Sequence, residues 1–348
     1  MRKKLMRQEL PLDRWPWFDL QVSLWRDQNG EKARIHYNHN NFFCDGYGAT
    51  CLLHEVEQYY AYPELELAPR QLTFRDAVIA LEKLEKSSLG RSAQDYWLER
   101  LPDLPPPPNL PQVSGRERRC RSYLQRRQGL LPAASWQSFK VNAAHYGLTP
   151  SNAVVAAYAE ILAAWSDSRH FVLSHMMTRR LPMHPDINDM LGNFASLYPL
   201  EVDLRGDLNF VERALRLQNQ VLLDASHLHW GGMQVMQALN QLHGEFGRSP
   251  YPFVVGSGLF MGKYKKPDFT CLETSQTLLD HQFWELDDGR YYYVWDLQEA
   301  FFPPGMIDSM WAAFDVFLKN LADDKTFWQQ QQFILARGAR MEIDESSA

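Results

Sequence analysis

The stretch that decides the fold reads Arg34-Ile35-His36-Tyr37-Asn38-His39-Asn40-Asn41-Phe42-Phe43-Cys44-Asp45-Gly46-Tyr47-Gly48. Ile35 and Tyr37 alternate with polar residues, the period of a strand with one buried face. Phe42, Phe43 and Cys44 extend it as a short apolar run, and Asp45-Gly46 breaks the pattern with turn chemistry. From Gly48 the spacing becomes helical, with Leu52, Val56 and Tyr59 on one face. Strand, Asp-Gly turn and helix set an aspartate at the edge of a sheet. There it either lines a cleft or does no more than make the turn.

Upstream, a short helix-like start leads to a strand at 18–25, paired back across the turn Asp27-Gln28-Asn29-Gly30. Downstream, helices begin at Phe74 and Ser92. Leu101-Pro-Asp-Leu-Pro-Pro-Pro-Pro-Asn-Leu-Pro111 can be neither helix nor central strand. It is expected to be a stiff connector, closing an N-terminal lobe at 1–112 before a second lobe at 113–335 and a tail at 336–348. Strands are expected at 125–131, 171–177, 197–202, 252–259 and 291–296. Helices are expected at 133–146, 149–165, 209–223 and 304–321, the second of these apolar nearly all round and therefore buried. Such irregular alternation describes an α/β chain.

The 348 residues, 45% of them hydrophobic, suffice for a large core, and a net charge of -6 argues against a general nucleic-acid binder. The basic run at 116–127 reads as a solvated loop or edge strand. Cys44, Cys51, Cys120 and Cys271 form no CxxC pair, which fits free thiols in a reducing cytoplasm. No stretch is long and apolar enough to span a bilayer, and the N-terminus is no secretory signal. His36 and His39 face opposite sides of a strand, and His227 and His229 lack acidic or thiol partners, so no metal site is expected.

Taken in order, four stretches resemble the heterocyclization domain of nonribosomal peptide synthetases, a variant of the condensation domain. They are Leu72-Thr-Phe-Arg-Asp-Ala-Val with Tyr96-Trp97-Leu-Glu-Arg-Leu-Pro and the proline run; Leu148-Thr-Pro-Ser to Trp165-Ser, continuing through Arg180-Leu-Pro-Met-His-Pro-Asp to Gly192-Asn-Phe-Ala-Ser; Ser275-Gln-Thr-Leu-Leu-Asp280-His-Gln; and Val294-Trp-Asp-Leu-Gln-Glu-Ala-Phe-Phe-Pro-Pro-Gly. The resemblance implies a two-lobed, chloramphenicol-acetyltransferase-like fold with a tunnel between the lobes. It implies carrier-protein partners or neighbouring synthetase modules, with substrates held on their phosphopantetheine arms and no other cofactor. The implied reaction is amide formation followed by cyclodehydration of Cys, Ser or Thr to a thiazoline or oxazoline. That chemistry needs a pocket excluding bulk water and groups that shuttle protons.

The resemblance also sorts the residues. Asp280 matches the aspartate implicated in cyclodehydration, and Gln276, Thr274 and Ser257 fall where the substrate tunnel would run. Asn40, Asn41, Asp45, Gly46, Arg180, Trp295 and Asp296 match structural motif positions. Asp45 and Arg180 are expected to form an ion pair, and Trp295-Asp296 to pack the lobe interface. Departures are clear. The histidines or aspartate expected at the front of the Asp-Gly motif are replaced by Asn40 and Asn41, which cannot titrate. Gly256 stands where the family has a threonine, and Asn193 and Ala195 where it has Asp and Thr. The first residues match the middle of the family's N-terminal lobe, so that lobe is expected to be incomplete here: the chain is naturally short, its start lies upstream, or a separate chain completes the lobe. Two readings stay open: an acyltransferase and cyclodehydratase, or a degenerate relative that binds carrier proteins or a partner subunit without catalysis. Altered acyl transfer onto a small amine is a third.

Overall fold

The computed structural model describes residues 2–6, 8–113, 124–244, 247 and 249–331. Most of the basic run, Cys120 and the tail at 336–348 lie outside the described residues. The chain forms two compact units, Met1–Lys86 with Thr178–Ala195, and Ser87–Met177 with Ser196–Ala348.

The first unit holds α1 (Arg2–Leu5), β1 (Phe18–Asp27), β2 (Gly30–His39), α2 (Gly46–Ala61) and α3 (Phe74–Glu85). β1 and β2 pair antiparallel as a two-stranded sheet of their own. The register sets Leu20 opposite Tyr37, Val22 opposite Ile35 and Leu24 opposite Ala33, which gathers the apolar residues on one face. That face is the exposed one: Leu20, Val22, Leu24 and Ile35 are half or more accessible. The polar face, with Asp19, Gln21, Ser23, His36 and Asn38, is half-buried. The buried face expected for Ile35 is therefore overturned.

The strand also stops earlier than its apolar run suggests. Asn40 Oδ1 accepts from Phe42 N at 2.9 Å and the Asn40 carbonyl from Phe43 N at 2.8 Å, so a turn replaces strand at once after His39. In α2 only Gly48 and Ala49 are buried, and Val56 and Tyr59, expected on a core face, are exposed. α3 is started by a capping box between Thr73 and Asp76. It buries Ala77 and Leu81 against Ile187, Met190 and Phe194.

The second unit holds α4 (Ser88–Arg100), β3 (Gln125–Leu131), α5 (Ala133–His145), α6 (Pro150–Trp165), β4 (His170–Thr178), β5 (Ala195–Asp203), α7 (Phe210–Ala225), α8 (Gly232–His243), β6 (Phe253–Ser257), β7 (Lys263–Tyr264), β8 (Leu279–Leu286), β9 (Tyr291–Leu297) and α9 (Met306–Asp323). Its seven-stranded sheet runs β3-β9-β8-β6-β4-β5, with β7 against β8. β9 is antiparallel to β3 and β8, whereas β8, β6 and β4 run parallel. Sequence reading missed β8 and α8. β8 (Leu-Asp-His-Gln-Phe-Trp-Glu-Leu) is mostly buried, so it lacks the alternation of a half-exposed strand. α8 starts without a capping side chain.

Nearly every side chain of α6 is buried, as its composition requires. Its one carboxylate, Glu160, is held by Arg213 of α7, the partner a buried charge needs. Trp295 does not pack a lobe interface. Lying on the face of β9 opposite Asp296, it is fully buried in the core against Tyr158, Trp311 and Phe314. The proline-rich stretch is extended after a short 3-10 turn, but it belongs to the second unit instead of separating two units. Its leucines explain this: Leu101 and Leu110 are buried, and the Pro106 carbonyl accepts from Val172 N at 3.1 Å. Among the described residues no helix is long and apolar enough to cross a membrane.

Candidate active site

Asp45 is the N-cap of α2, its Oδ1 accepting from Gly48 N at 2.7 Å. The same oxygen accepts from Arg180 Nη2 at 3.1 Å, and Oδ2 accepts from Phe194 N at 2.9 Å. The Arg180 guanidinium donates further to the carbonyls of Ile187 (2.8 Å) and Met190 (2.9 Å) and lies over the rings of Tyr47 and Phe194. Both side chains are buried, and both are spent on backbone. Gly192 makes this packing possible, because a Cβ there would stand 2.2 Å from the Phe74 ring. Asn40 holds the turn before Asp45, Asn41 is exposed, and Gly46 opens α2. None of these groups offers a free acid or base.

The second unit holds a different carboxylate. Asp280 is buried within β8, between β6 and β9. Register aligns it with Val254 of β6 and Asp296 of β9, and Asp296 with Arg126 of β3. Arg126, Asp296 and Asp280 thus form a row across three strands on one face of the sheet. Arg126 forks Asp296 with Nε to Oδ1 at 2.7 Å and Nη2 to Oδ2. Asp280 Oδ2 accepts from Gln282 Nε2 at 3.0 Å, whereas Asp280 Oδ1 and Arg126 Nη1 are buried with no hydrogen-bond partner among the described residues. Burial, and next the negative charge of Asp296, push the Asp280 carboxyl up to about 7, against the weaker opposing pull of Gln282 and Arg126. A carboxyl that changes charge near neutral pH can both give and take a proton.

Gly256 lies opposite Gln282 in register, on the face of Asp280. A Cβ there would stand 2.4 Å from Met176 Cε, so Met176 fills the space a threonine would use. The other expected tunnel residues are not brought to Asp280 by hydrogen bonds. Ser257 pairs with Phe283, one residue out of phase with Asp280, and its Oγ accepts from Leu259 N at 3.3 Å. Gln276 is exposed with both amide atoms engaged, accepting from Ser249 N at 2.6 Å and donating to the Gly247 carbonyl at 2.9 Å. Thr274 lies in the loop before β8, its carbonyl accepting from Thr277 N at 3.3 Å. Among the described residues no cluster of three or more His, Cys, Asp or Glu could hold a metal ion.

A family model described as the condensation domain matches residues 42–246. The chain belongs to the condensation-domain family. Pyochelin synthetase PchF of Pseudomonas aeruginosa is 30% identical over 339 residues, covering 94% of this chain and 18% of that protein. Phenyloxazoline synthase MbtB of Mycobacterium tuberculosis is 31% identical over 306 residues, covering 85% and 21%. The chain therefore spans about a fifth of the length of these two relatives. Among solved structures, the cyclization-docking bidomain of EpoB from Sorangium cellulosum is 30% identical with a TM-score of 0.84, covering 95% of this chain and 67% of that one. This condensation-family chain is closely related to cyclization and condensation domains of nonribosomal peptide synthetases, siderophore synthetases included.

Sequence reading missed two residues of this site. Arg126 sat in a basic run read as a solvated loop or edge strand; it does lie on the edge strand β3, but its side chain is mostly buried. Gln282 lies two residues from Asp280, the same-face spacing of a strand, and recognising β8 would have found it.

Two measurements test this condensation-domain site. Asp45→Ala and Arg180→Ala should each cost about 3–5 kcal/mol in urea unfolding, because each strands a buried charge. The double variant should cost clearly less than their sum; additive costs would show that the pair is not coupled. Asp280 sets a pH dependence of the opposite kind to a salt-bridged carboxylate. Its folded value lies above the ordinary one, so its contribution to stability is full below about pH 4 and is lost as pH rises through about 7. Asp280→Asn should therefore raise stability in urea unfolding more at pH 8 than at pH 5, by roughly 3 kcal/mol at most; an equal effect at both pH values would contradict it.

Proposed function

We propose that this chain is a heterocyclization-type condensation domain of nonribosomal peptide assembly in the cytoplasm. It would act on thioesters held on the phosphopantetheine arms of carrier proteins, within a tunnel of the two-lobed family fold. One acyl or peptidyl thioester meets a cysteinyl, seryl or threonyl thioester. The amine attacks the acyl carbonyl, the C–S bond breaks, and the departing thiolate takes up a proton. The side-chain thiol or hydroxyl then adds to the new amide carbonyl, giving a hydroxylated five-membered ring. Loss of that hydroxyl as water, with loss of the N–H proton, leaves the C=N bond of a thiazoline or oxazoline.

The observation that carries this reading is the state of Asp280. Asn40 and Asn41 cannot titrate, and the Asp45 carboxylate is consumed by Arg180 and the backbone N–H groups of Gly48 and Phe194. Asp280 is buried, poised near neutrality and has one oxygen without a partner among the described residues. It can protonate the departing hydroxyl as the C–O bond breaks, and the resulting carboxylate can recover the ring N–H proton. Names in the family lend support: one relative is a phenyloxazoline synthase and one solved neighbour a cyclization domain.

A second reading keeps the partners and drops the chemistry. The exposed apolar face of the β1–β2 hairpin favours it, because such a face suits a carrier protein or a partner subunit. Acyl-loaded and cysteinyl-loaded carrier proteins, followed by mass spectrometry, separate the two. The enzyme reading expects the amide and a product lighter by one water, and Asp280→Asn should keep the amide and lose the ring at least a hundredfold. Neither product with competent carriers would overturn it. The binding reading then expects Val22→Thr with Leu24→Lys to weaken capture of the carrier or partner at least tenfold.

A further inference from the structure

Resting on Asp280 as the proton-transfer group, we propose that the Arg126–Asp296 ion pair is its positioning device: the pair makes Asp280 the proton-carrying member of the row, and Gln282 selects the oxygen that carries the proton.

Two carboxyls and one guanidinium lie in one buried row, directly opposite in register. With both carboxyls ionised the row would bury an uncompensated negative charge, which is expensive away from water. One proton makes the row neutral. Hydrogen bonding decides where it goes. Asp296 receives two charge-assisted bonds from Arg126, whereas Asp280 receives one bond from a neutral amide. The proton therefore rests on Asp280. Because Gln282 donates to Oδ2, that oxygen serves as the acceptor, and the hydroxyl is Oδ1, the oxygen without a partner among the described residues.

The neighbours do not supply a rival charge. Val254 and Gly256 of β6 carry none. Tyr158 of α6 is buried with its phenol held well above the ordinary value, and Asp280 contributes to that shift. Cys271 and Tyr292, which sense Arg126 and Asp296, are likewise raised by burial and stay neutral. His281 is adjacent in β8 but turns to Tyr158 and Phe314, and burial holds it down at about 3, so it too is uncharged at neutral pH. Asp296 and Arg126 are thus the charges that decide the state of Asp280.

The test reads the titration of Asp280 directly, in the whole chain without substrate. Carboxyl 13C NMR of protein labelled at aspartate follows the resonance lost in Asp280→Asn. In the wild type it should titrate near neutrality. Asp296→Asn should move it down by about one to three pH units. Gln282→Leu, which removes a bond to the charged form, should move it up, and so should Arg126→Gln. Circular dichroism checks folding, and the three variants keep the test alive if one does not fold. Titration unmoved in the folded variants, or moved in the same direction by all of them, would overturn the proposal. The pH profile of ring formation should shift with the titration. A protein that forms no ring yet shows the opposed shifts would sink the functional reading while leaving the positioning role standing.

Discussion

A buried charge must be answered within hydrogen-bond reach, and the first unit is arranged around one such answer. Asp45 and Arg180 lie far apart in sequence and meet at 3.1 Å away from water. Each also bonds backbone: Asp45 accepts from Gly48 and Phe194, and Arg180 donates to Ile187 and Met190. The start of α2 and the segment 187–194 are therefore tied to one ion pair, with Gly192 leaving room for the Phe74 ring. Such a junction is sensitive to the loss of either partner because the other would stay buried and unpaid for.

The second unit solves the same problem differently, and the difference separates a structural carboxylate from a reactive one. Asp296 is forked by Arg126, as Asp45 is clamped by Arg180. Asp280 has only an amide on one oxygen and a carboxylate as its neighbour, and burial pushes it up to about 7. Asp45, Asp296 and Asp280 are all buried, and they differ in what answers them: an arginine for the first two, an amide for the third.

Much of this was legible before any coordinates. Helices α3, α6 and α7 begin close to where the sequence reading placed them, each capped by a side chain, from Thr73, Thr149 and Asn209. The uniformly apolar α6 is buried, and Gln125–Leu131 and Tyr291–Leu297 are strands. β8 was hidden because a strand buried on both faces, with Asp, His and Gln inside it, has no period to detect. The hairpin misled in the opposite way: its period-2 pattern is real, yet the apolar set faces solvent. Alternation reports which residues share a face; it does not report which face is covered.

The sequence by itself determined the family, through ordered motifs, and the type of most elements, through capping and periodicity, because those signals are local. It also determined that Asn40 and Asn41 cannot exchange protons, since that is a property of the side chain. Only the tertiary structure decided what the aspartates do. The register between β3, β9 and β8 set Arg126 against Asp296 and left Asp280 beside a paired carboxylate. Strand alternation in the sequence already turned Ser257 away, as the register bears out, but only packing put Met176 in the space over Gly256. Proton affinity depends on burial and on nearby charges, and for Asp280 those are Asp296 on the next strand and Arg126, more than a hundred residues earlier in the chain.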